Sequence, residues 1–429
     1  MRIERGKEVS ILGRCCNGFL AQPVWFRSAM MLGMILRLYC VVFTQGTYDV
    51  GIWREHAERT SQIGLINYYH ENRLANHPPF MTEISSLILQ FAQASGIPFR
   101  VLFRLPFAVL DGGTVILLLL ILRQAPRRLL VAAAYWLNPL AILFSSFHGN
   151  TDSAVAFVVL LSVWLLSENR QVGGALVLGA GLWIKIPVVL ALPALLLLVG
   201  GWRRKLEFLA LAGLTAFSTY LPAFLMDPRV LCVNVFSYPG LILQTTGGVP
   251  AWGWFKVLLP LVAPIGWRHN PPGFVAFLAI HGSKVAIGLI LALVWRRRNQ
   301  RSPSDVCALI AGSYVLIYGL SENWCFQYFA WSLPFWFFLP VWFPVLATLL
   351  AGGYIFSLYC CLCGNPCLLG HWDFVGHPYW PEIVIVLRDL AVLFFLAGAC
   401  WFVIAAAMFP KPVNPSSPAP NPQARQRFP

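Results

Sequence analysis

The chain reads as an all-α protein, a polytopic transmembrane helical bundle of about 12 spans. A helical subdomain is expected in its first loop. Three observations predict this class. The 429 residues are 58% hydrophobic and only 11% charged, with a mean hydropathy of +0.68, where soluble domains carry about 25% charged residues. The apolar residues fall in runs of roughly 20, the length at which a helix crosses the hydrocarbon of a bilayer. Basic residues gather in short clusters at the ends of those runs, as the positive-inside rule expects of cytoplasmic loops. The net charge of +14 is therefore assigned to membrane topology. No separate soluble domain exists to form a nucleic-acid groove, so nucleic acid is not an expected partner.

In order, residues 1–23 carry Arg2, Arg5, Lys7 and Arg14 and are expected in the cytoplasm. The apolar run that follows lacks a small-residue cleavage site and reads as a retained span over 24–44. It contains Arg37, which inside a span is either functional or turned into the bundle. Residues 24–408 form the transmembrane domain, with a first extracytoplasmic loop over 45–98. Tyr48 to Pro79 is the one long polar stretch near the start, with Asp49, Arg54, Glu55, Glu58, Arg59, Glu71 and Arg73. Glu55 and Arg59, four apart, suit a helical surface pair. Residues 80–97 place Glu83, Ser86, Gln90 and Gln93 on one stripe, the pattern of a helix lying in the interface. A non-crossing 80–97 also keeps the basic cluster Arg123 to Arg128 inside.

Span 99–122 then runs inward, 129–146 outward and 152–168 inward. Residues 172–200 are interrupted by Lys185 and Pro187 and predict two shorter helices meeting near the outer face. Spans at 206–226, 274–295 and 304–320 follow, with Arg296 to Arg298 as a stop signal. Residues 252–267 read as a re-entrant or interfacial helix. Further spans are placed at 328–342, 344–362 and 382–408, and a disordered Pro-rich tail at 409–429. The cysteines between Cys360 and Cys367, with His371, lack the paired spacing of a zinc site; a loop disulfide or inert thiols are the other readings.

This topology sends the polar clusters to the same outer face: Asp49, His77, His148 to Asp152, Lys185, and Glu322 to Gln327. Polar groups at membrane depth are costly, so their shared side suggests a site. The order of elements resembles the GT-C superfamily of polyprenyl-phosphate-sugar-dependent glycosyltransferases. It has a first span, an acidic outer loop ending in Pro78-Pro79, an interfacial helix, and a Phe-Arg pair opening the next span. Leu137-Asn138-Pro139-Leu140 leading into His148 to Ser153 is similar to the second acidic loop element of these enzymes. Gln327-Tyr328-Phe329-Ala330-Trp331 resembles a stretch of the GPI mannosyltransferase I catalytic subunit. The region 77–122 is similar to the asparagine-linked-glycan glucosyltransferases. Together the resemblance covers about residues 24–335.

The resemblance implies a membrane hexosyltransferase, with mannose favoured, and, because lipid-monophosphate donors of that superfamily are generally used without a metal, no metal and no cofactor. It would move the sugar from a polyprenyl-phosphate donor to a glycan, lipid or protein acceptor at the extracytoplasmic face, with room for a partner subunit. Asp49 would be the general base and Asp152 the second-loop acid. Lys185, Arg104 and His148 would hold the donor phosphate. His77, Asn150, Glu322 and Gln327 would contact substrate. Two departures stand out: the mannosyltransferases carry a second acid where this chain has Gly51, and the glucosyltransferases a late histidine motif where it has Ser321-Glu322-Asn323. Each residue also has a plainer use. Asp49 and Asp152 could be helix caps, His148 an interface histidine, Lys185 a snorkelling side chain, and Arg104 and Arg37 structural. A transporter or lipid flippase is the rival class. The lack of an N-x-S/T acceptor site with a permitted middle residue leans towards a bacterial plasma membrane over the endoplasmic reticulum.

Overall fold

The computed structural model describes residues 20–237, 250–262, 271–322, 324–370, 372 and 379–408. The basic N-terminus up to 19, part of the 252–267 segment, Asn323, His371 and the Pro-rich tail lie outside the described residues. Those described are helical, with no strand among them.

Prolines and glycines set the boundaries. α1 (Val24–Phe43) follows Pro23, and α2 (Tyr48–Ile63) is capped by Thr47, whose hydroxyl accepts from the Asp49 amide. Gly64, at φ 79°, turns the chain into α3 (Leu65–Glu71), a backbone state open to glycine at no steric cost. α4 (Pro79–Ser95) ends at Gly96 and α5 (Phe99–Ile121) follows Pro98. α6 (Arg128–Trp136) and α7 (Pro139–His148) form one bent pair, turned by 49°. The bend falls at Asn138-Pro139, where proline cannot donate to the preceding turn. Then come α8 (Asp152–Ser167), α9 (Gln171–Ile184), α10 (Ile186–Leu195) and α11 (Trp202–Met226). After a short turn at 228–236 the chain continues through α12 (Trp254–Val262), α13 (Gly273–Arg296), α14 (Pro303–Leu320), α15 (Trp342–Cys363) and α16 (Glu382–Met408).

Seven of these (α1, α5, α11, α13, α14, α15 and α16) are long and apolar enough to cross a membrane, or up to 8 helices if the bent pair is one span. That is fewer than the expected 12. Residues 152–168 and 172–200 yield only short apolar helices: α8, at 16 residues, is about 24 Å long and short of a bilayer core. Residues 328–342 are mostly tight 3₁₀ turns over Phe326–Trp331 and Leu333–Phe338. Pro334 and Pro340 deny that run the donors of a continuous helix, and its rings pack inward on α14. Hydropathy marks a buried segment and a spanning one alike.

The exposed residues of the long helices are large and apolar, among them Leu214, Leu225, Phe274 and Ile280, which is the surface a lipid solvent calls for. Inside, Arg37 and Asp111 form an ion pair at 2.8 Å, both nearly inaccessible. The Tyr135 hydroxyl donates to the second Asp111 oxygen, and the Arg37 guanidinium lies over the Trp136 ring. Arg37 thus ties α1, α5 and α6 together. At one end of the bundle Arg123 pairs with Glu168, and Gln171 bonds the Arg204 carbonyl. The helices α2 to α4 cover the opposite end. There α4 packs on α2, with Ser86 donating to the Ala57 carbonyl. Ser86 is therefore buried, while Glu83, Leu87, Gln90 and Phe91 form the exposed side. Of the expected polar stripe, Glu83, Gln90 and Gln93 are exposed and Ser86 alone turns inward. The expected Glu55–Arg59 pair is replaced by Arg54–Glu58 and by Arg59–Glu71, which joins α2 to α3.

Candidate active site

The site is built where α2 begins, α7 ends and α8 begins. Because Thr47 caps α2, Asp49 is free of that duty and its carboxylate turns inward. One oxygen accepts from Asn150 Nδ2 at 2.5 Å and lies 3.2 Å from His148 Nε2, off the line of a well-formed hydrogen bond. His148 is delivered by the last turn of α7, which widens into a π-helix over Leu143–His148. Its other ring nitrogen meets the Tyr359 hydroxyl of α15 at 2.9 Å, with the two rings parallel. A Tyr359 proton on Nδ1 leaves Nε2–H facing Asp49. Gly149, at φ 75°, makes the turn, and a Cβ there would collide with Val50. Burial pushes the Asp49 carboxyl up, but His148, Asn150 and the nearby Lys185 charge outweigh it, so it lies below the ordinary value and is ionised at neutral pH.

A second cluster adjoins this one. Lys185 sits in extended backbone between α9 and α10, 13% exposed, and its ammonium is 2.7 Å from Asp152 Oδ1. The same oxygen accepts from Trp331 Nε1 at 2.5 Å, and Lys185 lies against the Tyr328 ring. Asp152 Oδ2 is buried with no hydrogen-bond partner among the described residues. Asp152 is the first residue of α8 but makes no cap bond, so its side chain serves the cluster. Lys185 is likewise engaged with Asp152 and does not snorkel. An acid, a histidine and an amide beside a lysine–acid pair can take a proton and face an anion at the same end of the bundle.

Residues 77–319, more than half of the chain, match the profile of glycosyltransferase family 87. The chain belongs to that family. A stretch of 131 residues is 28% identical to GPI mannosyltransferase 1 of Kluyveromyces lactis, covering 30% of this chain and 32% of that protein. The chain thus matches about a third of the length of this curated relative. Family 87 membership supersedes the transporter reading, and the residues expected to serve a glycosyltransferase can be placed one by one.

Asp49, His148 and Asn150 form the first cluster, Asp152 and Lys185 the second. Arg104, also expected to hold phosphate, belongs to neither cluster. It is fully buried in α5, and its five N–H donors meet the carbonyls of Arg100, Phe147, Val41 and Thr44 and the Thr44 hydroxyl. It closes the C-terminal carbonyls of α1 and fixes the turn before His148. Glu322 is also apart: its Oε1 accepts from the Phe255 amide at 2.7 Å and caps α12. Burial pushes its carboxyl up to about 7. A Cβ at Gly253 would collide with that carboxylate. His77 stacks on Trp53 at 4.1 Å in the core of the first-loop subdomain, where desolvation holds it well below the ordinary histidine value. Gln327 is half-buried and accepts from the Cys325 thiol. Cys360, Cys361, Cys363 and Cys367 are free thiols. Trp331 and Tyr359 are the additions. Trp331 lay within the quoted aromatic motif, whereas nothing local marks Tyr359, which lies 211 residues from His148.

Proposed function

We propose that this family 87 protein transfers a hexose, mannose favoured, from a polyprenyl-phosphate donor to an acceptor hydroxyl at the extracytoplasmic face. Asp49 is the general base: the acceptor oxygen attacks the anomeric carbon, its proton passes to Asp49, and the phosphate leaves with the electrons of the broken C–O bond. His148 and Asn150 orient the carboxylate, and Tyr359 orients His148. Lys185, balanced by Asp152 and Trp331 in the free protein, turns its charge to the departing phosphate. The acceptor is a glycan, lipid or protein, and the membrane is that of a bacterial cell or the endoplasmic reticulum.

The observation that carries this reading is the contact of Asp49 with His148 and Asn150 next to the Lys185–Asp152 pair, in a chain of this family. A lipid-linked donor is supported by an apolar groove of about 610 Å³ between the first-loop subdomain and α11, lined by Leu65, Phe80, Pro222 and Met226 among others. Phe80 touches Trp183, two residues from Lys185, at a ring separation of 5.4 Å, so an acyl or isoprenyl chain in the groove would bring its phosphate towards the lysine. The test offers purified protein in vesicles a polyprenyl-phosphate hexose or the matching nucleotide sugar, with cell lipid extract as acceptor. Label transferred from the polyprenyl donor alone supports the reading. Transfer from the nucleotide sugar alone, or from neither, overturns it.

A further inference from the structure

A second cavity, of about 470 Å³, lies at the start of α2, and Asp49 is not among its lining residues. Its walls include Gln45, Thr47, Gly51, Arg54, Arg100 and Trp372. Among the described residues, the charged ones that line it are two arginines. Arg54 is shared with Glu58, at 2.8 Å on the solvent side of α2. Arg100 makes no side-chain hydrogen bond or ion pair among the described residues, and its Nε is buried without a partner. A guanidinium that is half removed from water with an unmet donor is held ready for an anion, since leaving it unpaired costs more than the bond it would make. The planar fork fits the oxygens of a phosphate.

Location narrows the ligand. The cavity sits between the end of α1 and the start of α5, and the ends of helices long enough to span fall at the membrane interface. Phe43 and Tyr48 are exposed beside it, giving an apolar flank below a cationic recess. Gly51 opens one wall: a Cβ there would meet nothing within 4 Å, so the residue leaves volume that a side chain could have filled.

We infer that this cavity is a phosphate site at the membrane interface, separate from the reaction centre, in which Arg100 and Arg54 hold the headgroup phosphate of an anionic phospholipid. It does not depend on the proposed reaction. It shares the Gly46–Gly51 backbone with Asp49, and Thr47 donates to the His148 carbonyl, so occupancy would firm the start of α2 and the turn that carries His148.

The test is native mass spectrometry of the full chain released from mixed micelles of phosphatidylglycerol and phosphatidylcholine, counting retained lipids. Thermal unfolding in phosphatidylcholine nanodiscs, with and without millimolar inorganic phosphate, runs beside it. The native protein should retain one phosphatidylglycerol more than Arg100→Gln, with apparent affinity lower by roughly fivefold to tenfold in that variant and in Arg54→Gln. Gly51→Trp, which fills the cavity and leaves both arginines in the chain, should also lose that lipid, while Asp49→Asn should keep it. Stabilisation by inorganic phosphate that Arg100→Gln abolishes, without any difference in retained lipid, would assign the cavity to a soluble phosphate and overturn the lipid source. Equal lipid counts and equal phosphate response across all three cavity variants would overturn the site itself.

Discussion

The Lys185–Asp152 pair invites a double-mutant cycle. At 2.7 Å the two charges attract by about 6 kcal/mol at an effective dielectric of ~20, and much of that is offset by the desolvation both have undergone. Removing one partner leaves the other uncompensated in a site where Asp152 is 1% and Lys185 13% exposed, which costs about 3–5 kcal/mol. Asp152→Asn keeps an acceptor for Trp331, so it belongs at the lower end of that range; Lys185→Met strands the carboxylate and belongs at the upper end. The double variant removes both charges and should lose clearly less than the sum of the two, by about 2 kcal/mol or more. Unfolding of detergent-solubilised protein followed by tryptophan fluorescence reads all four corners. Losses that simply add would mean that the two groups do not compensate each other, and Lys185 would have no counter-charge to leave when a phosphate arrives.

Other outcomes follow from residues outside the two clusters. Arg104→Lys offers three donors to acceptors that now take five, and should cost about 2–4 kcal/mol of stability through stranded carbonyls, while the donor KM of the surviving protein stays unchanged. A raised donor KM at unchanged stability would restore a phosphate role for Arg104. Glu322 has a folded-state value raised from 4.5 to about 7, so its contribution is complete below the unfolded value and is lost as the pH rises through 7. Melting temperature should therefore fall between about pH 5 and pH 8, and Glu322→Gln should flatten that slope; an unchanged slope in the variant would assign it elsewhere.

The helical class, the polar first loop and the interruption at Lys185 were legible because each is local: apolar run length, a cluster of charges, a lysine next to a proline. Asp49, His148, Asn150 and Asp152 stood out as polar groups at the ends of apolar runs, and the bundle gathers them. What the sequence could not carry was partnership. Trp331 meets Asp152 across 179 positions, and the five acceptors of Arg104 are mostly main-chain carbonyls that have no sequence signature. Arg104, Arg37 and Lys185 look alike as cations in oily surroundings, yet one closes helix ends, one locks three helices and one faces the site. The span count is not matched for a related reason. Hydropathy registers that 152–168 and 328–342 avoid water, but whether lipid or protein surrounds them is settled only by packing.

Sugar transfer by Asp49→Asn protein shows whether Asp49 accepts the acceptor proton. The amide can still bond Asn150 and fills the same volume, so the fold and the donor affinity should persist. Initial rates of sugar transfer from a polyprenyl-phosphate hexose, measured together with donor binding, should fall by about 10²–10⁴-fold in the variant, the range expected for removal of a general base, with binding unchanged. Transfer by Asp49→Asn at a rate close to that of the native protein would contradict the account.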